Sequence, residues 1–275
     1  MTLTDTRPSG PVPTFPFSMF DPVHLGIDEN GEPVYVNLAE RNMLLGGEPG
    51  GGKSSGLNLI TAHGALSYDC KLILIDGNQV QLGPWRDCAD VFIGPSIKDA
   101  IEAFKDFQAT MNDRYKDLLA AGRRKITRES GEPVYLIVLD EYAYFSATVG
   151  SKQDRERFAA LTRDLVARGR AAGVIIILAT QRPSHQVIDP SMRDLFGYRW
   201  AFRCTTDSSS DVVLGQGWAN EGYTAADIDP LARGVGWLLS ETGVPRRIKA
   251  AYLEDDDIKY LASYAAKLRH GSEAA

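Results

Sequence analysis

No stretch of the 275 residues approaches the roughly 18 consecutive apolar residues of a membrane-spanning helix, and the chain does not open on the basic, apolar pattern of a secretory signal. A cytoplasmic protein is therefore expected. Cysteine is scarce: Cys70, Cys88 and Cys204 are odd in number and widely spaced, which excludes a disulfide framework and reads as reduced thiols. The four histidines are equally scattered, with no metal-ligand spacing. Positive charge is in deficit, with 30 Lys and Arg against 36 Asp and Glu. A net charge of −6 excludes a uniformly basic nucleic-acid binder but leaves room for a local basic channel. There is no internal repeat. No Asn-Lys-x-Asp string occurs, which removes the guanine-reading element of a GTPase switch.

What is present centres on Gly47-Glu48-Pro49-Gly50-Gly51-Gly52-Lys53-Ser54, which fits the phosphate-binding pattern G-x-x-x-x-G-K-[ST]. The flanks suit it. Asn42 to Leu45 reads as a short buried strand, and Ser54 to Leu66 carries apolar residues at helical spacing. In such a loop the glycines turn backbone N–H groups inward around a phosphate chain, and the helix start adds a favourable dipole. Lys53 would neutralise the outer oxygens, and Ser54, with Ser55 beside it, would face a nucleoside triphosphate and its Mg2+. A glycine-rich turn with an incidental Lys-Ser is the bland alternative.

The remaining pattern alternates apolar strands with helices, which predicts an α/β fold with a mainly parallel sheet flanked by helices. Residues 1–20, with Pro8, Pro11, Pro13 and Pro16, read as a flexible leader or an interaction arm, and residues 21–275 as one domain. A hairpin is predicted around Asp28 to Gly31, beside the main sheet. Lys71 to Asp76 and Val134 to Leu139 are apolar without alternation, as strands covered on both faces are. The former is expected to be parallel and central. Ser96 opens a long helix, with Asp99 completing a capping-box-like start. Arg155 to Arg170 forms an amphipathic helix that feeds a strand at Val174 to Thr180. Beyond it lie a strand from Tyr198, a short helix from Asp207 to Leu214, a hairpin joined across Glu241 to Gly243, and a last helix after Asp255.

Chemistry gathers at strand ends. The Val134 strand closes on Asp140-Glu141, and carboxylates at the C-terminal end of a buried parallel strand lie beside a phosphate loop. There Asp140 can hold Mg2+, and Glu141 can polarise water for attack on the γ-phosphate. Gln181, at the tip of the Val174 strand, can sense that phosphate or simply satisfy loop backbone. Arg123, Arg124, Lys125 and Arg128 crowd one loop, and Arg182 and Arg193 bracket another. Either group is a nucleic-acid contact or a solvated surface turn. Arg168 and Arg170, with Arg203 in reserve, are candidates for an arginine supplied to a neighbouring subunit's site.

These strings together resemble the FtsK/SpoIIIE-type DNA translocases. The residues that carry the resemblance are Leu25 to Asp28, Gly50 to Ser55, Met111 to Tyr115, Leu139 to Ala143, Arg170 to Gly173 running into Leu178 to Ser184, Ala201 to Arg203, Leu214 to Gly217, and Trp237-Leu238. The similarity spans residues 25–240. It implies a RecA-like P-loop ATPase that assembles as a homo-hexamer, binds ATP and Mg2+, and pumps double-stranded DNA through its pore, with Lys53, Ser54, Asp140, Glu141 and Gln181 in the family's nucleotide-site positions. Glu48-Pro49 departs from the family's Thr-Gly-Ser-rich filling, and Tyr142 stands where Phe is common. Neither a membrane anchor nor a winged-helix module is expected from this sequence, so the motor resembles the compact transfer proteins of actinobacterial plasmids and integrative elements more than the chromosome-segregating members, with any membrane recruitment expected through another protein. The alternatives are a type VII secretion motor, a small-molecule kinase, and a ring that binds nucleotide without hydrolysis.

Overall fold

A computed structural model describes residues 14–240 and 243–271. Ten strands form one sheet: β1 (Val23–Asp28), β2 (Pro33–Val36), β3 (Met43–Gly46), β4 (Cys70–Ile75), β5 (Val91–Ile93), β6 (Val134–Leu139), β7 (Val174–Thr180), β8 (Tyr198–Phe202), β9 (Val235–Ser240) and β10 (Arg246–Ala250). Their spatial order is β2-β1-β10-β9-β8-β3-β7-β6-β4-β5. From β8 to β5 every pairing is parallel, and from β8 outward to β2 every pairing is antiparallel. Among the described residues six α-helices accompany them: α1 (Lys53–Ala65), α2 (Ile97–Ala120), α3 (Lys152–Arg168), α4 (Pro190–Arg193), α5 (Asp207–Leu214) and α6 (Asp255–Gly271).

The apolar runs behave as their composition requires. Successive side chains of a strand point to opposite faces, and both faces here are covered. Leu72, Leu74, Leu136, Val138, Ile175 and Ile177 meet α1 and α6 on one side. Ile73, Ile75, Ile137, Leu139, Ile176 and Leu178 meet α2, α3 and α5 on the other. The result is a sheet between two helical layers, and the expected fold class holds. Ser96 accepts a hydrogen bond from the Asp99 N–H at 3.2 Å, capping α2 as expected.

The predicted hairpin, β1 and β2, lies beside the parallel strands and joins the sheet at its edge through β10. Two expectations shift. β4 is covered on both faces yet is not central, because only the three-residue β5 lies beyond it. A strand that short leaves no periodic signal to read. Of the leader expected over 1–20, residues 1–13 lie outside the described residues, while its last turn is packed on the domain. Met19 is fully buried, its N–H donates to Asp69 Oδ1 at 2.7 Å, and the Ser18 hydroxyl donates to Asp69 Oδ2 at 2.5 Å. Phe17 stacks on His63. These apolar residues find a surface that proline counting does not reveal.

Candidate nucleotide site

The parallel strands direct their C-terminal ends to one rim of the sheet, where ligands of open α/β folds bind. The phosphate loop leaves β3 there and enters α1. Three backbone hydrogen bonds mount it: Gly47 N–H to Thr180 O at 3.3 Å, Glu48 N–H to Arg203 O at 2.9 Å, and Gly234 N–H to Gly51 O at 3.1 Å. Glycine is needed at Gly52, where φ is +109° and a Cβ would lie 2.4 Å from Gly234 Cα. No side chain caps the first turn of α1. The N–H groups of Lys53 and Ser54 are thus available to an anion, the arrangement that suits a phosphate, while the Ser55 N–H bonds to Gly52 O at 3.0 Å.

Lys53 is buried and donates to Asp140 Oδ1 at 2.7 Å and to the Asp140 carbonyl at 3.0 Å. The β6 carboxylate thus stands beside the loop, as its place in the sequence predicts. Glu141 is held from β7: Oε1 accepts from Thr180 Oγ1 at 2.7 Å and Oε2 from Gln181 N–H at 2.7 Å. Ala143 N–H also donates to Oε1, at 3.1 Å. A carboxylate offers about four lone-pair sites, so three donors fix its direction and leave room for a water. A single-turn π-helix at Tyr144–Thr148 follows, an irregularity that often accompanies functional sites.

A cavity of about 500 Å³ opens over the loop, in the range of small-molecule sites. Glu48, Pro49, Gly50, Gly52, Lys53, Ser54, Ser55 and Gln181 form one wall. Arg233, Lys249 and Tyr252 join it from one end of the antiparallel β9–β10 pair, where β9 begins and β10 ends. Sequence reasoning missed those three, since nothing local in a hairpin tells which side chains will face a loop nearly 200 residues away. It also missed the partner of Glu48, whose Oε2 lies 3.2 Å from Arg203 Nη2. Among the described residues no cluster of three or more His, Cys, Asp or Glu side chains could hold a metal ion. One buried carboxylate, Asp140, and one exposed hydroxyl, Ser54, nonetheless fit Mg2+, which is commonly held by one or two carboxylates together with substrate phosphates.

The remaining predicted residues divide. Arg182 is exposed and directly follows Gln181, on the rim of the nucleotide cavity. Arg170 sits in the short helical turn that precedes β7. That places it a full strand length, about 20 Å, from this chain's own loop. Arg168 is occupied by Asp164 and Asn112. The basic loop precedes β6, again at the far rim, and its Ile126 N–H bonds to Ala171 O at 2.9 Å. Arg123 pairs with Glu132 at 2.7 Å, Lys125 with Glu40, and Arg128 with Asp21. Arg124 is exposed. Arg193 is buried, pairs with Asp194 and donates towards Asp211 O, so it is a structural group. Arg182 and the loop from Arg123 to Arg128 therefore lie at opposite rims, and Arg193 belongs to neither surface.

A phosphate loop entering a helix, a carboxylate pair closing the parallel strand next but one to it, and a polar tip on the strand between define the nucleotide end of a P-loop ATPase fold. Residues 18–137 match the FtsK/SpoIIIE family. The chain is 28% identical to the DNA translocase FtsK of Pseudomonas putida, over 85% of this chain and 31% of that protein. It is 30% identical to Protein Tra of Streptomyces lividans, over 74% of this chain and 34% of that one. It thus spans about a third of these relatives' lengths. Among solved structures, the pCW3 conjugation coupling protein TcpA with ATPγS superposes with a TM-score of 0.75 at 20% identity, covering 94% of this chain and 75% of that one. The cytoplasmic domain of the Thermomonospora curvata type VII secretion ATPase EccC gives 0.71 at 23% identity, covering 95% and 32%. The resemblance to FtsK/SpoIIIE-type translocases read from the motifs is borne out, and the chain has the P-loop ATPase fold of that group. No helix among the described residues is long and apolar enough to cross a membrane.

Proposed function

We propose that this chain is the motor of an ATP-driven translocase of double-stranded DNA, acting in the cytoplasm as a homo-hexameric ring in plasmid or integrative-element transfer or in chromosome partitioning. The observation that carries the reading is the meeting of Lys53, Asp140 and Glu141 with Thr180 and Gln181 at one rim. In this reading the triphosphate lies in the loop from Gly47 to Ser55, along the N–H groups that the loop's own backbone bonds leave open, those of Gly50, Gly52, Lys53 and Ser54. Lys53 leaves Asp140 to neutralise the outer phosphate oxygens. Asp140 and Ser54 would hold Mg2+, which screens the triphosphate charge when bound. Glu141 orients a water in line with the γ-phosphorus and takes its proton as the new P–O bond forms and the bond to the ADP oxygen breaks. Gln181 reports the loss of the γ-phosphate to β7, because its own N–H holds Glu141.

Arg170, across the sheet from its own site, would complete the site of a neighbouring subunit. Arg182 at the near rim, and the loop carrying Arg123, Arg124, Lys125 and Arg128 at the far rim, would touch DNA phosphates. Membrane recruitment would come through another protein. A second reading, a motor for protein export, is favoured by the fold likeness to EccC. ATP turnover measured with and without duplex DNA separates them: stimulation by duplexes of any sequence supports the DNA motor, and indifference to duplex overturns it.

A further inference from the structure

An acidic residue inside a phosphate cradle works against the cradle. Glu48 occupies the second position of the loop, and its side chain lines the cavity in which a triphosphate would lie. A carboxylate there is only partly solvated, its side chain being 21% exposed, so its field on a nearby anion is screened less than at an open surface. Lys53 does not offset it directly, because its ammonium is committed to Asp140.

Arg203 is placed to cancel this charge. It follows the last residue of β8, its Nη2 lies 3.2 Å from Glu48 Oε2, and its carbonyl accepts the Glu48 N–H at 2.9 Å. The backbone contact fixes where the side chain starts, and the ion pair fixes where it ends. Arg203 is not part of the cavity wall. It approaches Glu48 from the sheet side. Its contact is with its own chain's loop. Resting on the nucleotide reading of the cavity, we infer that Arg203 is a positioning residue for triphosphate binding. It draws the Glu48 carboxylate toward the β8 end and neutralises it, so that the cradle presents N–H groups and Lys53 rather than an anion.

The test is a double-mutant cycle on the equilibrium binding of Mg-ATPγS, which separates a pair's coupling from the effect of either residue alone. Arg203→Ala is expected to raise Kd by roughly tenfold or more, the scale of one uncompensated charge near a phosphate at partly screened range. Glu48→Gln alone should bind at least as tightly as the wild type. The double variant should return to the Glu48→Gln value, and Arg203→Lys, which keeps the charge, should stay near wild type. The Arg203→Ala defect should also shrink as salt rises. Should the alanine variant fail to fold in a thermal melt, Arg203→Gln carries the same comparison. A wild-type Kd for Arg203→Ala, a double variant as weak as Arg203→Ala, or a Glu48→Gln variant as weak as Arg203→Ala would each overturn the inference, the last showing a purely structural tether. A wild-type protein that binds no ATPγS refutes the nucleotide reading itself, and this inference with it.

Discussion

The two rims of the sheet treat their charges differently. At the nucleotide rim, polar side chains are buried or half-buried and held by several hydrogen bonds: Lys53 donates to two Asp140 oxygens, and Glu141 accepts from Thr180, Gln181 and Ala143. At the far rim, Arg123, Lys125 and Arg128 form partly exposed ion pairs with Glu132, Glu40 and Asp21. Exposed pairs contribute about 0–1 kcal/mol and can exchange partners readily. A buried, multiply bonded group cannot exchange partners without a penalty of a few kcal/mol. Chemistry is therefore expected where groups are fixed, and reversible contact with a polyanion where they are loosely paired.

The largest effect that could break this contrast concerns the fixed rim. Glu141→Gln should retain triphosphate binding and lower turnover by up to about 10⁴-fold, the scale of a lost general base, whereas Lys53→Ala should lose binding as well. Nucleotide titration paired with a turnover assay checks both, and an active Glu141→Gln variant would move the water-orienting role elsewhere. Next comes Arg170. If it serves a neighbour's site, Arg170→Ala should lower turnover on the order of 10³-fold, and mixing it with Lys53→Ala subunits should restore part of the activity. A co-assembled mixture with no recovery would leave Arg170 a far-rim surface group.

Salt dependence sharpens the contrast at lower amplitude. Each phosphate neutralised adds about 0.9 to the log–log salt slope of duplex binding. Arg182→Ala should flatten it by about that amount. Alanine at Arg123, Arg124 and Lys125 together should flatten it by about one such step rather than three, because Glu132 and Glu40 already hold two of these cations and none of the ion pairs found among the described residues uses Arg124. An unchanged slope would make the loop a solvated turn. The smallest effect is on the thiols. Burial pushes Cys70, Cys88 and Cys204 up to about 12, so at pH 8 their thiolate fraction is about 10⁻⁴. Alkylation of the folded protein should be negligible and appear only with unfolding, as mass spectrometry of protein treated with iodoacetamide would show.

What could be read from the chain alone follows from the range of the forces involved. β6 and β7 were legible because a strand covered on both faces must be apolar throughout, and the phosphate loop because its backbone demands glycine in a fixed spacing. Asp140, Glu141 and Gln181 were legible as strand ends. The pairing of Glu48 with Arg203 was not, and neither was the approach of Arg233, Lys249 and Tyr252, because those contacts depend on β8, β9 and β10 assembling in that order. The separation of Arg182 from Arg123 onto opposite rims follows instead from β6 and β7 running parallel, since Arg182 follows β7 and Arg123 precedes β6. Both sit in polar loops of similar composition, and only strand direction distinguishes a loop that follows a strand from one that precedes it.

The three hydrogen bonds that mount the phosphate loop come from different parts of the sheet: Thr180 ends β7 in the parallel block, Arg203 follows β8 at the boundary, and Gly234 precedes β9 in the antiparallel extension. The loop is in effect a keystone. The parallel and antiparallel halves cannot tilt against one another without drawing on Gly47, Glu48 or Gly51, and nothing can reshape those three residues without moving at least one half. With Gly52 packed so tightly on Gly234 that a methyl group would not fit, there is little slack to absorb the displacement. Whatever fills the cradle thereby acts on the whole span of strands from β7 to β9 as one mechanical linkage.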